Sequence, residues 1–361
     1  MFSSAPRSQQ TAAAIHLGND SGRSDQLERR REVSASPSCR QGAVEAHTSG
    51  VTLTSLTAQI EGRTARPFQT VPSSKRPYLR LHSCSMDQTG NAHSDQYAPG
   101  HAPSEIERLI DQGRWFGDLT ERLFRDAGMV PGMSVLDVGC GAGDVSFLAM
   151  SLVGSGGKII GVDRAPEPVA VAAARAAAAG LANVEFIAGD IAELTLSQPV
   201  DFVVGRLVLM YLPDPTSVVR HLRTLVKDGG VLAFHEFDIL GATSEPPCPL
   251  FETTVERIRQ TFAKAGFGIR TGLLLGRIFE GAGLAAPTMT LSARIERGFD
   301  AKIYRQLAGI TRAMLPMIIR TEVATAQTVD VDTLETRLRE EAVALDATLV
   351  APPLIGAWAR N

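Results

Sequence analysis

The sequence predicts a doubly wound α/β fold, a buried and mostly parallel sheet with helices on both faces. Two observations lead there. Short runs rich in Val, Ile, Leu and Phe recur between residues 134 and 237, and helical stretches separate most of them. Strands covered on both faces read as such continuous apolar runs, and alternating βαβα order gives a parallel sheet. A third observation is the density of glycine where the first run ends, at a strand-to-helix turn of the kind that faces ligands.

The elements follow in order. Ser104 with Glu107 forms a capping box, and Ile106, Leu109, Ile110, Trp115, Leu119, Leu123 and Phe124 recur at helical spacing, so one or two amphipathic helices precede the sheet. They end before Gly128 and Pro131-Gly132. Strands are expected at Ser134–Val138, Lys158–Val162, Val184–Ala188, Asp201–Gly205 and Val231–Phe237. Helices fit between them at Val145–Leu152, Glu167–Ala179 and Pro215–Val226, the last closed by Gly229-Gly230. Beyond Asp238, Pro249–Ala265, Leu273–Ala282, Ala301–Ile319 and Val331–Leu345 read as helices. Thr288–Ile295 alternates like a strand, and Pro353–Ala359 is a last apolar segment.

Composition bounds the function. At 44% hydrophobic and 21% charged the chain is of the globular kind. No apolar run approaches the roughly 18–20 residues of a membrane span, so stable membrane insertion is not expected and a cytoplasmic setting is. Cys39, Cys84, Cys140 and Cys248 are scattered, without zinc spacing, so neither a metal nor a disulfide framework is expected. Residues 1–85 hold 11 of the 36 Lys and Arg and 6 of the 39 Asp and Glu, which leaves 25 against 33, a net −8, for the rest. That acidic body does not favour nucleic acid as a partner. Residues 1–95 are polar and without periodicity, and read as a disordered leader. They are basic and Ser-rich like a targeting peptide, although Asp20, Asp25, Glu28 and Glu32 spoil that pattern; a start at Met86 would make the leader an artefactual extension.

Chemistry concentrates at Asp137-Val138-Gly139-Cys140-Gly141-Ala142-Gly143. Glycines there let backbone approach a ligand and turn into a helix whose N-terminus favours an anion. The spacing is GxGxG, not the GxGxxG of dinucleotide enzymes. About twenty residues on, Asp163 ends the second strand, where a carboxylate accepts both ribose hydroxyls. Gly189-Asp190-Ile191 follows the third strand and offers a carboxylate and an apolar face to an adenine. Each has a plainer reading: turn geometry for the glycines, helix or turn caps for Asp163 and Asp190, small-residue packing for Cys140.

Taken in order, DVGCGAG, GVD and FIAGDI resemble the successive motifs of class I S-adenosylmethionine-dependent methyltransferases. The segment Pro199–Asp238 is similar to their quinone-C-methyltransferase-like, small-molecule branch. The resemblance implies a seven-stranded Rossmann-like sheet with the last strand antiparallel and a helical C-terminal cap. It implies helices at 96–132, a cofactor-binding core at 133–240, and the rest of the sheet with the cap at 241–361. S-adenosylmethionine would be held by Gly139, Cys140, Gly141, Gly143 and Arg164, with Asp163 at ribose, Asp190 and Ile191 at adenine, and Asp137 at the amino group. Gln112 and Trp115 would form a lid, Trp115 being otherwise a core residue.

The acceptor should lie beyond strands four and five. Arg206 there suits a methionyl carboxylate or an acidic substrate, or else a salt bridge to the acidic body. His235 and Glu236 point to opposite faces, so they cannot both serve one atom. Glu236 is a candidate pocket carboxylate and His235 a candidate base, with hydrogen-bonded structural roles as the alternative. If Thr288–Ile295 and Pro353–Ala359 are the last two strands, the helices between them emerge over the cofactor side as a substrate cap. Leu307, Ile310, Met314, Leu315, Met317 and Ile318 there suit a core, an apolar pocket or a homodimer contact. The expected function is methyl transfer to a small, largely apolar metabolite; the alternatives are a methyltransferase-like binding protein without catalysis and an NAD-dependent oxidoreductase.

Overall fold

A computed structural model of the chain describes residues 103–361. The chain divides into two units, Met1–Thr70 and Val71–Asn361, and every described residue belongs to the second. The expected leader and the Ser104 side chain of the capping box lie outside the described residues.

Helix α1 (Pro103–Asp126) is one continuous helix. Its buried Phe116, Thr120, Leu123 and Phe124 repeat every three or four residues, which gives it one face to lay on the sheet. Then come β1 (Ser134–Val138), α2 (Asp144–Val153), β2 (Lys158–Asp163), α3 (Pro166–Ala178), β3 (Val184–Ala188) and β4 (Val200–Arg206). All six lie within a residue of the expected bounds. Helix α4 (Pro215–Arg223) departs from expectation: it ends before the predicted Val226, which already belongs to β5 (Val226–Phe237). Gly229-Gly230 therefore does not close the helix. The pair sits inside the strand, at a register shift where Val200 faces Val226 but Phe202 faces Val231.

The C-terminal part contains β6 (Thr243–Glu245), α5 (Pro249–Lys264), α6 (Thr271–Gly281), β7 (Thr288–Ser292), β8 (Ile295–Arg297) and α7 (Ile303–Arg320). It closes with α8 (Ala326–Val329), α9 (Leu334–Ala344), β9 (Thr348–Val350) and β10 (Leu354–Arg360). The single strand expected at Thr288–Ile295 is two: β7 joins the main sheet, and β8 a small sheet ordered β6-β9-β8. Between them Arg294 bonds to the Trp115 carbonyl of α1, which fixes the corner.

The main sheet has seven strands in the order β3-β2-β1-β4-β5-β10-β7. Strands β1 to β5 run parallel, and β10 is antiparallel to both neighbours. Side-chain alternation divides the sheet between two cores. Val135, Ile159, Phe202 and Ala233 pack with α1 and α2, while Leu136, Ile160, Val203 and Phe234 pack with α4 and α6. A third core joins α5, α7 and α9 through Phe251, Phe262, Met314, Ile318 and Leu338. Among the described residues no helix is long and apolar enough to cross a membrane.

Phe234 on β5 is fully buried, with its ring 6.0 Å from that of Phe279 on α6. Phe234→Ala should lower unfolding free energy by about 3–5 kcal/mol, read as a lower urea midpoint at unchanged slope. A midpoint equal to wild type would show that this face of the sheet is not a packed core.

Candidate active site

Strand order reverses between β1 and β4, so the chain leaves the two strands in opposite directions and a crevice opens beyond their carboxyl ends. A cavity of about 840 Å³ lies there. One end is walled by Gly139, Cys140 and Gly141 after β1, Asp163 and Arg164 at β2, Gly189, Asp190 and Ile191 after β3, and Arg206 to Val208 after β4. The other end is apolar, lined by Phe237, Phe251, Val255, Ile258, Phe262, Ile303, Leu307 and Ile310, largely from α5 and α7. Helix α1 contributes Arg108, Leu109, Gln112 and Trp115.

The glycine turn is conformationally demanding and faces the cavity. Gly139 has φ 67°, and a Cβ there would stand 2.6 Å from Val208 Cγ2. Gly143, at φ 89°, would meet Phe186 at 2.9 Å; it starts α2 and does not line the cavity. Asp163 ties the turn to the next helix, since its Oδ2 accepts from Gly141 N–H at 2.8 Å and its Oδ1 from Ala165 N–H at 3.0 Å. Asp190 likewise accepts from Ala192 N–H at 2.9 Å and from Arg164 at 2.9 Å. Asp190 thus caps its turn, whereas Asp163 braces the approach to α3 without capping it, since Ala165 is the N-cap and no side-chain cap is made there; both carboxylates also line the cavity. Ile191 is buried beside them. Cys140 is buried at the cavity wall, and burial raises its thiol pKa, which disfavours the thiolate there.

Arg206 lines the cavity and donates to Thr120 Oγ1 at 3.2 Å. Among the described residues it forms no ion pair, so the salt bridge offered as an alternative is not made. Burial lowers its pKa against the pull of Asp144 and Asp137. Trp115 reconciles its two readings: it is buried, it borders the cavity, and its indole N–H donates to Glu296 at 2.9 Å.

Besides Gly143, three expected site residues do not reach the cavity. Asp137 sits beneath the turn, where its Oδ2 accepts from Ser146 at 2.5 Å and its Oδ1 has no partner. Burial raises its carboxyl to about 7 against the lowering effects of Ser146 and Arg206. His235 faces α1, with Nδ1 3.3 Å from Thr120 Oγ1, and burial with the Arg206 charge pushes it down to about 3. It is neutral at physiological pH. Glu236 points to the other face, as parity requires, and its Oε1 accepts from Val208 and Leu209 N–H at 2.9 and 2.8 Å. Neither side chain lines the cavity. Tyr211 and Gln306 do line it and were not foreseen. Tyr211 lies just past β4, the one signal that pointed its way, whereas Gln306 lies on a helix with no motif.

Residues 130–283 match a family model described as a methyltransferase domain. A ubiquinone biosynthesis O-methyltransferase of Acinetobacter baylyi is 36% identical over 110 residues, 30% of this chain and 45% of that one. An arsenite methyltransferase of Halobacterium salinarum is 32% identical over 151 residues, 39% of each chain. The chain spans less than half the length of these curated relatives. A SAM-dependent methyltransferase structure from Aquifex aeolicus superposes with a TM-score of 0.41 at 19% identity, covering 72% of this chain and 99% of that one.

The burial of Asp137 has a pH signature. A carboxyl whose folded pKa is raised stabilises fully below its unfolded value, and that contribution is lost as pH rises through about 7. Relative to Asp137→Asn, wild type should therefore lose stability between about pH 4 and pH 7, by at most about 1.4 kcal/mol per pH unit. Urea titrations of both proteins across that range measure it; parallel curves would refute the shift.

Proposed function

We propose that the chain, whose residues 130–283 match the methyltransferase-domain model, is a class I, S-adenosylmethionine-dependent enzyme that methylates a small, largely apolar metabolite in a capped cavity. The observation that carries this reading is continuity: one cavity runs from the glycine turn, Asp163 and Asp190 to the apolar surfaces of α5 and α7.

The residues at the first end fit the cofactor. Asp163 and Asp190 present carboxylate acceptors to hydroxyl and amino donors, Ile191 an apolar face to a base, and Arg206 an unpaired guanidinium to a carboxylate. Gly139 and Gly141 bring bare backbone to the cavity wall. S-adenosylmethionine supplies a sulfonium methyl open to in-line displacement. The chain's part is then alignment and exclusion of water. Phe251, Ile258, Phe262 and Leu307 would enclose an apolar acceptor, and Gln112 and Gln306 offer amides to its polar group. Fixing the acceptor in line can lower the barrier by several kcal/mol without acid or base chemistry. This suits a cavity that His235 and Glu236 do not reach, provided the acceptor's lone pair is free at working pH.

A second reading, cofactor binding without turnover, is supported by the same absence of His235 and Glu236 from the cavity lining. The methyltransferase-domain match leaves no ground for the oxidoreductase. The proposal includes a cytoplasmic setting, an acceptor that is not nucleic acid, and a homodimer through the C-terminal helices. The dimer is supported by exposed Ile319 on α7 and Val343 on α9, although Leu307, Met314, Met317 and Ile318 are buried within the chain.

Methyl-labelled S-adenosylmethionine incubated with host metabolite extracts tests the reading. Wild type should pass label to a small molecule extractable into organic solvent. Asp163→Ala should bind the cofactor about tenfold more weakly, the loss of about 1.4 kcal/mol of hydrogen bonding. Tight binding by wild type with no label transferred would establish the second reading instead.

A further inference from the structure

The turn after β4 holds the cavity wall in an uncommon backbone form. Leu207 has φ 55°. The other non-glycine residues with positive φ among those described, Glu322, Asp330 and Asp346, do not line the cavity. A leucine in that region is strained and persists only where its surroundings over-determine it.

The partners that hold it are on β5. Leu207 N–H donates to the His235 carbonyl at 2.9 Å. The next two N–H groups, of Val208 and Leu209, converge on Glu236 Oε1 at 2.9 and 2.8 Å. Val208 itself returns to φ −116°, ψ −42°. A left-handed residue followed by a right-handed one points successive N–H groups into a concavity that takes an anion, and here a side chain of the same protein fills it.

The held turn then acts on the glycine turn after β1. A Cβ on Gly139 would stand 2.6 Å from Val208 Cγ2, and one on Gly205 would stand 2.9 Å from Val208 Cγ1. Val208 is thus wedged over two glycines, and its position sets how close β4 and the glycine turn approach. Glu236 is costly to keep for packing alone, because it is fully buried and its Oε2 has no hydrogen-bond partner. An apolar side chain of similar size would serve the core better.

We infer that Glu236 is a positioning residue: its carboxyl clamps the Leu207–Leu209 turn in its strained form and, through Val208, fixes the glycine turn for cofactor binding. The inference rests on the cofactor reading given above. Glu236 touches neither cofactor nor acceptor in this role; its effect passes through two backbone N–H groups and one valine.

Calorimetric titration of the full chain with S-adenosylhomocysteine tests it. Glu236→Ala should bind about 10-fold more weakly than wild type, about 1.4 kcal/mol. Glu236→Gln, whose amide oxygen can accept the same two N–H groups, should recover most of that loss. Adding Leu207→Gly to Glu236→Ala should recover part of it by a different route, because glycine adopts positive φ without strain. A merely structural Glu236 predicts no recovery from a glycine that restores none of its contacts. Wild-type affinity in Glu236→Ala, or no recovery in the double variant, would overturn the inference. Should Glu236→Ala not fold, Val208→Ala decides, since it removes the wedge and leaves the carboxyl intact; a several-fold loss supports the inference and unchanged affinity overturns it. A wild type that does not bind S-adenosylhomocysteine would overturn the cofactor reading itself, whatever the variants do.

Discussion

The pairing of β1 with β4 is the constraint on which the rest of the structure depends. These two parallel strands meet in register from Val135 opposite Phe202 to Val138 opposite Gly205. They belong to the two halves of the sheet that grow outward in opposite directions. Their following turns must therefore part, and the space between them cannot be filled by either. What remains to be settled is how near the two turns come at the base of that space. Gly139, Gly205 and Val208 settle it: the side chain that touches both glycines belongs to the turn after β4, and both backbones beneath it are bare. A side chain on Gly139 would require the valine to move, and the crevice with it.

Burial sorts the ionisable groups around that contact into two layers. Asp137, His235 and Glu236 lie below the cavity floor, and burial drives each towards its neutral form, raising the two carboxyls to about 7 and lowering the imidazole to about 3. Asp163 and Asp190 lie at the cavity surface, where backbone N–H groups and Arg164 hold their carboxylates. The division follows from desolvation, which disfavours charge and here outweighs the hydrogen bonds that Asp137 and Glu236 accept. It also separates roles. Groups that brace the floor hold hydroxyls and backbone, and groups that present charge border the space a ligand would occupy.

The same division explains what the sequence could and could not reveal. Strands β1 to β4 were legible almost to the residue because strands covered on both faces leave uninterrupted apolar runs. Asp163 and Asp190 were legible because they fall at strand ends, where spacing alone carries the information. Parity also placed His235 and Glu236 on opposite faces. Parity does not say how far a side chain reaches, and both stop short of the cavity, one at Thr120 and the other at the Leu207 turn. No pattern marks a leucine for positive φ, so the partner that Glu236 holds was invisible. The split of Thr288–Ile295 was hidden for a similar reason: alternation continues through the corner at Arg294, and only the contact with α1 shows that the chain turns there.

That corner also bears on how the cavity is closed. Arg294 bonds the Trp115 carbonyl at 2.7 Å and pairs with Asp118, while Glu296 accepts from the Trp115 indole and from Ile303 N–H at the start of α7. Arg305 of α7 pairs with Asp111 of α1. The exposed ion pairs contribute little individually. The buried indole contact and the shared Glu296 are different, because breaking them strands polar groups away from water. Helix α1, β8 and the start of α7 are therefore joined through Glu296, whose partner Trp115 also lines the cavity. The glycine turn has no part in these bonds. The apolar end and the glycine turn are therefore held by separate sets of bonds, the first through Trp115 and Glu296 and the second through Asp163.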